Sequence, residues 1–128
     1  MFYLVRTAAS INFKNLVKKL WDVDGAIKED DREKVKMNIV KLMLSTPENI
    51  QRQLSEAISI IGRVDFYQKW NQLLPEIVVY IQEGDYAKIN GCLRTVHSIF
   101  KRYRYEIKVR NQDPIKRLLR GLKAFLVN

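Results

Sequence analysis

The sequence predicts an all-α protein, a right-handed α-solenoid of stacked helical hairpins with about five to six helices. Three observations carry that expectation. Apolar residues recur at offsets of three and four along the whole chain, and no useful length of sequence alternates apolar and polar residues as a strand would. The intervening turns are short and rich in capping residues. A pair of helices also recurs: the second and fourth predicted helices start near residues 31 and 66, and the third and fifth near 47 and 86, offsets of 35 and 39. That period, with compact turns inside each pair, is the mark of HEAT- or armadillo-type repeats, whose hairpins bury their apolar faces by stacking on neighbours.

The first helix is expected over residues 3–21, from the stripe Val5, Ala9, Phe13, Leu16, Val17 and Leu20, and DVDG at 22–25 reads as the turn that ends it. The second begins at DDREK, where Asp30 is placed to cap the first turn while Glu33 reaches back; Val35, Ile39, Leu42 and Met43 form its stripe. It stops at Ser45. Thr46, Pro47 and Glu48 then supply a cap, a residue pre-set for the first helical position and a charge that complements the helix dipole. The third helix carries Ile50, Leu54, Ala57, Ile58 and Ile61, and Gly62 is expected to end it in the left-handed conformation.

A fourth helix is expected over about 66–83, capped by Asp65 and closed by Gly84, with Phe66, Trp70, Leu73, Leu74 and Ile77 as an inward face. Pro75 falls inside that span, where proline costs about 3 kcal/mol unless neighbouring repeats offset a bend. Asp85 caps a fifth helix running through residue 105, with the stripe Ile89, Leu93, Val96, Phe100 and Tyr103. Its core positions are Leu93, Val96 and Phe100. Asp113 and Pro114 open a sixth, with Ile115, Leu118, Leu119, Leu122 and Phe125.

The net charge of +9 on 128 residues is unevenly spread. Residues 101–123 hold nine Lys or Arg against Glu106 and Asp113, whereas residues 1–100 hold fourteen basic and twelve acidic side chains. The excess is therefore a feature of the C-terminal segment. No apolar run approaches the ~20 residues that span a bilayer, and Arg6 breaks the N-terminal segment before it reaches the apolar length of a signal peptide. The expected location is accordingly the cytosol or nucleus. The lone Cys92 fits a reducing compartment and reads as packing.

Catalysis finds little support. His97 is the only histidine and has no second ligand or general base at a matching spacing. The five glycines form no phosphate-binding loop. No metal site and no catalytic residue is expected.

The residues themselves carry a resemblance. AASINFKNLVKKLW, residues 8–21, resembles the first-repeat helix of importin-β family transport receptors. NIVKLMLSTPENIQRQLSEAISIIGRVDF, residues 38–66, and INGCLRTVHSIFKRYRYEI, residues 89–107, resemble the exportins of that family that return importin-α to the cytoplasm. The likeness extends through surface positions such as Gln51, Gln53, Ser55 and Arg63, which solenoid packing alone leaves free to vary. It departs at Tyr67 and Asn71, where relatives commonly carry proline, and it fades after Ile107. Residues 1–107 thus read as a partial first repeat followed by repeats two and three, and 108–128 as a divergent basic amphipathic helix at the possible start of a fourth. Since the family's receptors are long solenoids, the resemblance implies a fragment of one.

The resemblance implies a non-enzymatic scaffold in nucleocytoplasmic transport, found in nucleus and cytoplasm. Its partners would be the small GTPase Ran in its GTP state and importin-α cargo, with nucleoporins as further partners of a full-length receptor. The chain itself would bind no cofactor, GTP and magnesium belonging to Ran. Neither a membrane nor nucleic acid is an expected partner. In such receptors the second helix of each pair lines the concave surface, which here would be helices one, three and five. Their non-core faces present Asn12, Asn15 and Lys19; Gln51, Ser55 and Ser59; and Asn90, Arg94, His97 and Arg102. The alternative is a basic helical module that binds nucleic acid or an anionic membrane through residues 100–128, where aromatic and basic side chains interleave.

Overall fold

The computed structural model describes residues 2–66 and 69–110, with side chains described as far as residue 102. Among these residues five α-helices follow one another without a strand: α1 (Phe2–Leu20), α2 (Glu29–Leu44), α3 (Glu48–Asp65), α4 (Leu73–Gln82) and α5 (Tyr86–Arg110). The expected sixth helix and Tyr67 lie outside the described residues, as does the side chain of Tyr103. Short turns make antiparallel hairpins of α2 with α3 and of α4 with α5. α3 packs between α1 and α5, while α2 and α4 cover the other side and touch each other. The result is a two-layer stack of hairpins, the solenoid the helix recurrence predicts.

Hydrogen bonds fix the direction of the α1–α3–α5 layer. Near the start of α1 and α3, Asn49 Nδ2 donates to Thr7 Oγ1 at 2.9 Å, and at the far end Trp21 Nε1 donates to Asp65 Oδ2 at 3.1 Å. Arg94 reaches Glu48 near the start of α3, and Arg102 reaches Glu56 farther along. The three helices therefore run parallel. Their shared core includes Val17, Trp21, Ile50, Leu54, Ile58, Ile61, Cys92 and Ile99, and Ile39, Val40 and Met43 close it from α2.

Several local expectations change. The fourth helix is shorter than the sequence pattern suggests, starting at Leu73. Pro75 is thus its third residue, where the missing N–H is one of the four that have no partner inside the helix. A helix extended back to residue 66 would set the proline ring against the carbonyl of Asn71, so the chain turns before it. Phe66 and Trp70 stay in the core, 5% and 4% exposed, although no helix carries them. Asp65 does not cap this helix; it is the buried last residue of α3.

Gly62 lies within α3, with space for a Cβ only at ordinary contact distance from Leu73 and Ile99. The left-handed positions are Gly25, at φ 76° in the turn after α1, and Gly84, at φ 78° after α4. Asp30 is not the cap of α2, which starts one residue earlier at Glu29 with Lys28 before it. Glu29, Asp30 and Asp31 together occupy its first turn, where their charge favours the dipole. Thr46 closes α2 by donating to Met43 O at 2.8 Å, leaving Pro47 ahead of α3 with no side-chain cap. Asp85 does cap α5, its Oδ1 accepting from Ala87 N at 3.0 Å and Lys88 N at 3.4 Å.

Two stripes rotate. In α1 the buried line passes through Ser10 and Val17 to Trp21, while Val5 and Leu16 are exposed, because among the described helices α1 packs closely on α3 alone. In α5 the buried line is Cys92, Thr95 and Ile99. Leu93 is 55% exposed and is not core; Val96 and Phe100 are half-buried beside it. This helix runs to Arg110, five residues past the expected end.

Candidate partner-binding surface

The residues proposed for the inner face fall into two groups. Asn12, Asn15, Lys19, Asn90 and His97 are exposed. Gln51, Ser55, Ser59, Arg94 and Arg102 instead join α3 to α5. Ser55 and Ser59 are 2% and 0% exposed and present no surface to a partner, which corrects their assignment to a solvent-facing side. Ser55 Oγ shares a hydrogen bond with Thr95 Oγ1 at 3.0 Å, and Thr95 Oγ1 lies 2.9 Å from the Gly91 carbonyl. Small polar side chains can be buried here because each finds a partner across the seam.

The seam repeats itself. Arg94 extends Nη1 to Gln51 Oε1 and Nη2 to Glu48 Oε1, both at 3.4 Å. Eight residues along each helix, Arg102 donates from Nε to Ser59 Oγ at 2.8 Å and pairs through Nη2 with Glu56 Oε1. Two parallel helices held in constant register bring the same relative positions together twice, so one side-chain solution serves both. These guanidiniums bridge two side chains apiece, each through two nitrogens of one planar group.

Beside the second bridge lies a cleft of about 610 Å³. α1 contributes Lys18, α3 contributes Glu56, Ile60 and Arg63, and α5 contributes His97, Lys101 and Arg102. Among the described residues four cationic side chains thus meet one carboxylate, which Arg102 already engages. Of the expected residues, the structure brings His97 and Arg102 together here; Asn12, Asn15, Lys19 and Asn90 do not line it. Sequence reading missed Lys18, Arg63 and Lys101. The helical period contains the signal for two of them: Arg63 lies four residues beyond Ser59, and Lys101 four beyond His97.

Two further grooves among the described residues differ. One of about 480 Å³ between α1 and α2 is mainly apolar, with Phe13, Val35 and Leu42 in its walls. Another, of about 450 Å³ between α2 and α4, includes Met37, Trp70 and Val79. Among the described residues no group of three His, Cys, Asp or Glu is placed to hold a metal, and no helix is long and apolar enough to cross a membrane.

Residues 4–45 match the Importin-beta N-terminal domain, spanning α1 and α2. Over a longer stretch, 109 residues, the chain is 56% identical to Exportin-2 of Homo sapiens, covering 82% of this chain and 11% of that protein. The chain belongs to the importin-β family. Exportin-2 of Danio rerio is 52% identical over the same length, again covering 82% of this chain and 11% of the relative. A solved structure, described as the exportin Cse1 in its cargo-free, cytoplasmic state, superposes with a TM-score of 0.67 at 36% identity. That likeness covers 91% of this chain and 14% of the Cse1 chain. This importin-β family chain thus spans about 11% of the length of the curated relatives it matches. The match to Cse1 agrees with the stacked hairpins described above.

Proposed function

We propose that the chain is a portion of a nuclear transport receptor of the exportin type, a binding scaffold without enzymatic activity that moves between nucleus and cytoplasm. Its partners on this reading are Ran in the GTP state and importin-α cargo. The identity of 56% to Exportin-2 is the observation that carries it. The exposed residues Asn12, Asn15, Lys19 and Asn90, with His97 at the cleft, supply directional hydrogen bonds and charge on the α1–α3–α5 face. The nucleotide and magnesium are Ran's; the chain contributes the surface that distinguishes Ran's two states.

The test is capture of purified Ran, loaded with a non-hydrolysable GTP analogue or with GDP, on the immobilised chain. The expected result is capture of the GTP form above the GDP form, strengthened by importin-α. Equal capture of both forms, or of neither, would overturn the proposal for this chain. A salt series adds a second readout, since binding carried by nucleic acid would fall much more steeply as salt rises.

A further inference from the structure

We propose that the cleft bounded by Lys18, Glu56, Arg63, His97, Lys101 and Arg102 binds an acidic segment of a partner protein, a run of Asp and Glu side chains laid across α1, α3 and α5. The inference rests on reading this layer as a partner-binding face and adds the chemistry of one partner element.

Charge and shape both point to carboxylates. Lys18, Lys101 and Arg102 approach from two helices, Arg63 stands between them on α3, and Ile60 provides an apolar wall. The volume of about 610 Å³ accommodates several side chains. Cations that line a concave surface reinforce one another's field and attract an anionic group more strongly than the same charges spread over a convex surface. The cleft also shows its preferred ligand in miniature. Arg102 pairs with the Glu56 carboxylate while its Nε donates to Ser59, so a guanidinium held in place by the seam already grips a carboxylate. Glu56 is 46% exposed, leaving the pair open to an incoming acid.

Nucleic acid fits this cleft less well. Single-stranded nucleic acid depends on aromatic platforms for stacking, and among the described residues no Phe, Tyr or Trp lines the cleft. For a carboxylate-bearing peptide, Glu56 acts as an internal competitor that a stronger or multivalent acid displaces from Arg102.

The experiment uses fluorescence anisotropy with a labelled twelve-residue peptide of alternating Glu and Asp, and a labelled single-stranded oligodeoxynucleotide of matched charge. The acidic peptide is expected to bind. The pair Lys18→Glu and Lys101→Glu should weaken it about tenfold, the loss expected for two charge contacts. Lys28→Glu with Lys41→Glu changes the net charge equally but on α2 and the residue before it, and should weaken binding less than twofold. Glu56→Gln should tighten binding, because the internal competitor is removed.

Equal weakening by the two reversal pairs, weaker binding in Glu56→Gln, or tighter binding of the oligonucleotide than of the peptide would each overturn the proposal. Thermal melts of each variant exclude unfolding as the cause. Ran capture by the same variants separates this inference from the transport reading. Failure of the parent chain to bind the acidic peptide, or undiminished peptide binding in Lys18→Glu with Lys101→Glu, while Ran·GTP capture is intact defeats only the inference, whereas state-independent Ran capture with peptide binding intact in the parent chain defeats only the transport reading.

Discussion

Lys36 and Asp65 form an ion pair of 2.7 Å, both side chains almost wholly removed from solvent, where α2 meets the end of α3. Each charge has further partners. Lys36 Nζ donates to the carbonyl of Lys69 at 3.0 Å, and Asp65 Oδ2 accepts from Trp21 Nε1 at 3.1 Å. The pair therefore ties the ends of α1 and α3 to α2 and to the segment that precedes α4. Arg32 reinforces the same corner by donating to the carbonyls of Trp21, Val23 and Ile27 at 2.7, 3.2 and 3.2 Å.

Removing one member leaves the other charge buried without its counter-ion, which costs about 3–5 kcal/mol. Asp65→Ala is thus expected to lower the urea midpoint strongly. Lys36→Met combined with Asp65→Leu should recover most of that loss, because an apolar pair replaces both desolvated charges. A double variant no more stable than Asp65→Ala would show that Trp21 and Lys69, rather than the ion pair, dominate this corner.

The sequence made this corner only half legible. Trp21 belongs to the quoted segment that resembles the family's first-repeat helix, but no sequence signal singles out Lys36 among the lysines of α2, and Asp65 reads as a cap. Hydrophobic periodicity sorts residues by polarity, so it cannot recognise a buried polar residue whose partner lies 29 positions away. Ser55 and Ser59 are misplaced by periodicity for the same reason, each bonding across to α5, Ser55 to Thr95 and Ser59 to Arg102, contacts that a projection of α3 alone does not contain. Pro75 shows the opposite case. Its chemistry correctly forbids a helix interior, and the break simply falls earlier, leaving Phe66 and Trp70 buried without helical geometry. Asp85 and Gly84 were readable because a cap and a left-handed turn are local, decided by a few adjacent residues.

Gly91 marks the close approach of α5 to the first hairpin. A Cβ there would meet Gln51 Nε2 and Leu44 Cδ2, each at 2.9 Å. Both obstacles are ends of flexible side chains, so Gly91→Ala should be close to neutral, about 1 kcal/mol of helix propensity offsetting the displacement. Gly91→Leu has no such escape and is expected to destabilise by about 1–3 kcal/mol through overpacking. It should also separate Gln51 from Arg94, whose 3.4 Å contact begins the repeated seam. Urea unfolding of both variants checks the order. An equal loss in Ala and Leu would mean that backbone conformation, and not space, requires glycine here.

Cys92 lies at the centre of the α5 core with 0% exposure. Burial first, then the nearby carboxylates Glu76 and Glu83, push its thiol from the ordinary 9.0 up to about 11. Only the thiolate is strongly nucleophilic, so at pH 8 the folded chain should resist iodoacetamide and react at the rate of its unfolding. The same shift sets a pH dependence. Below pH 9 both states hold the proton and stability is unaffected; between 9 and 11 the unfolded thiol ionises while the folded one does not, so the folded state loses stability as pH rises. The contribution lost reaches roughly 2–3 kcal/mol once pH exceeds the folded value. Lysines and tyrosines also titrate in this range, and Cys92→Ala isolates the thiol's part: its urea midpoint should fall less between pH 8 and pH 10.5 than that of the parent chain. Parallel slopes for the two proteins, or rapid alkylation of the folded chain at pH 8, would contradict a neutral, inaccessible thiol at this position.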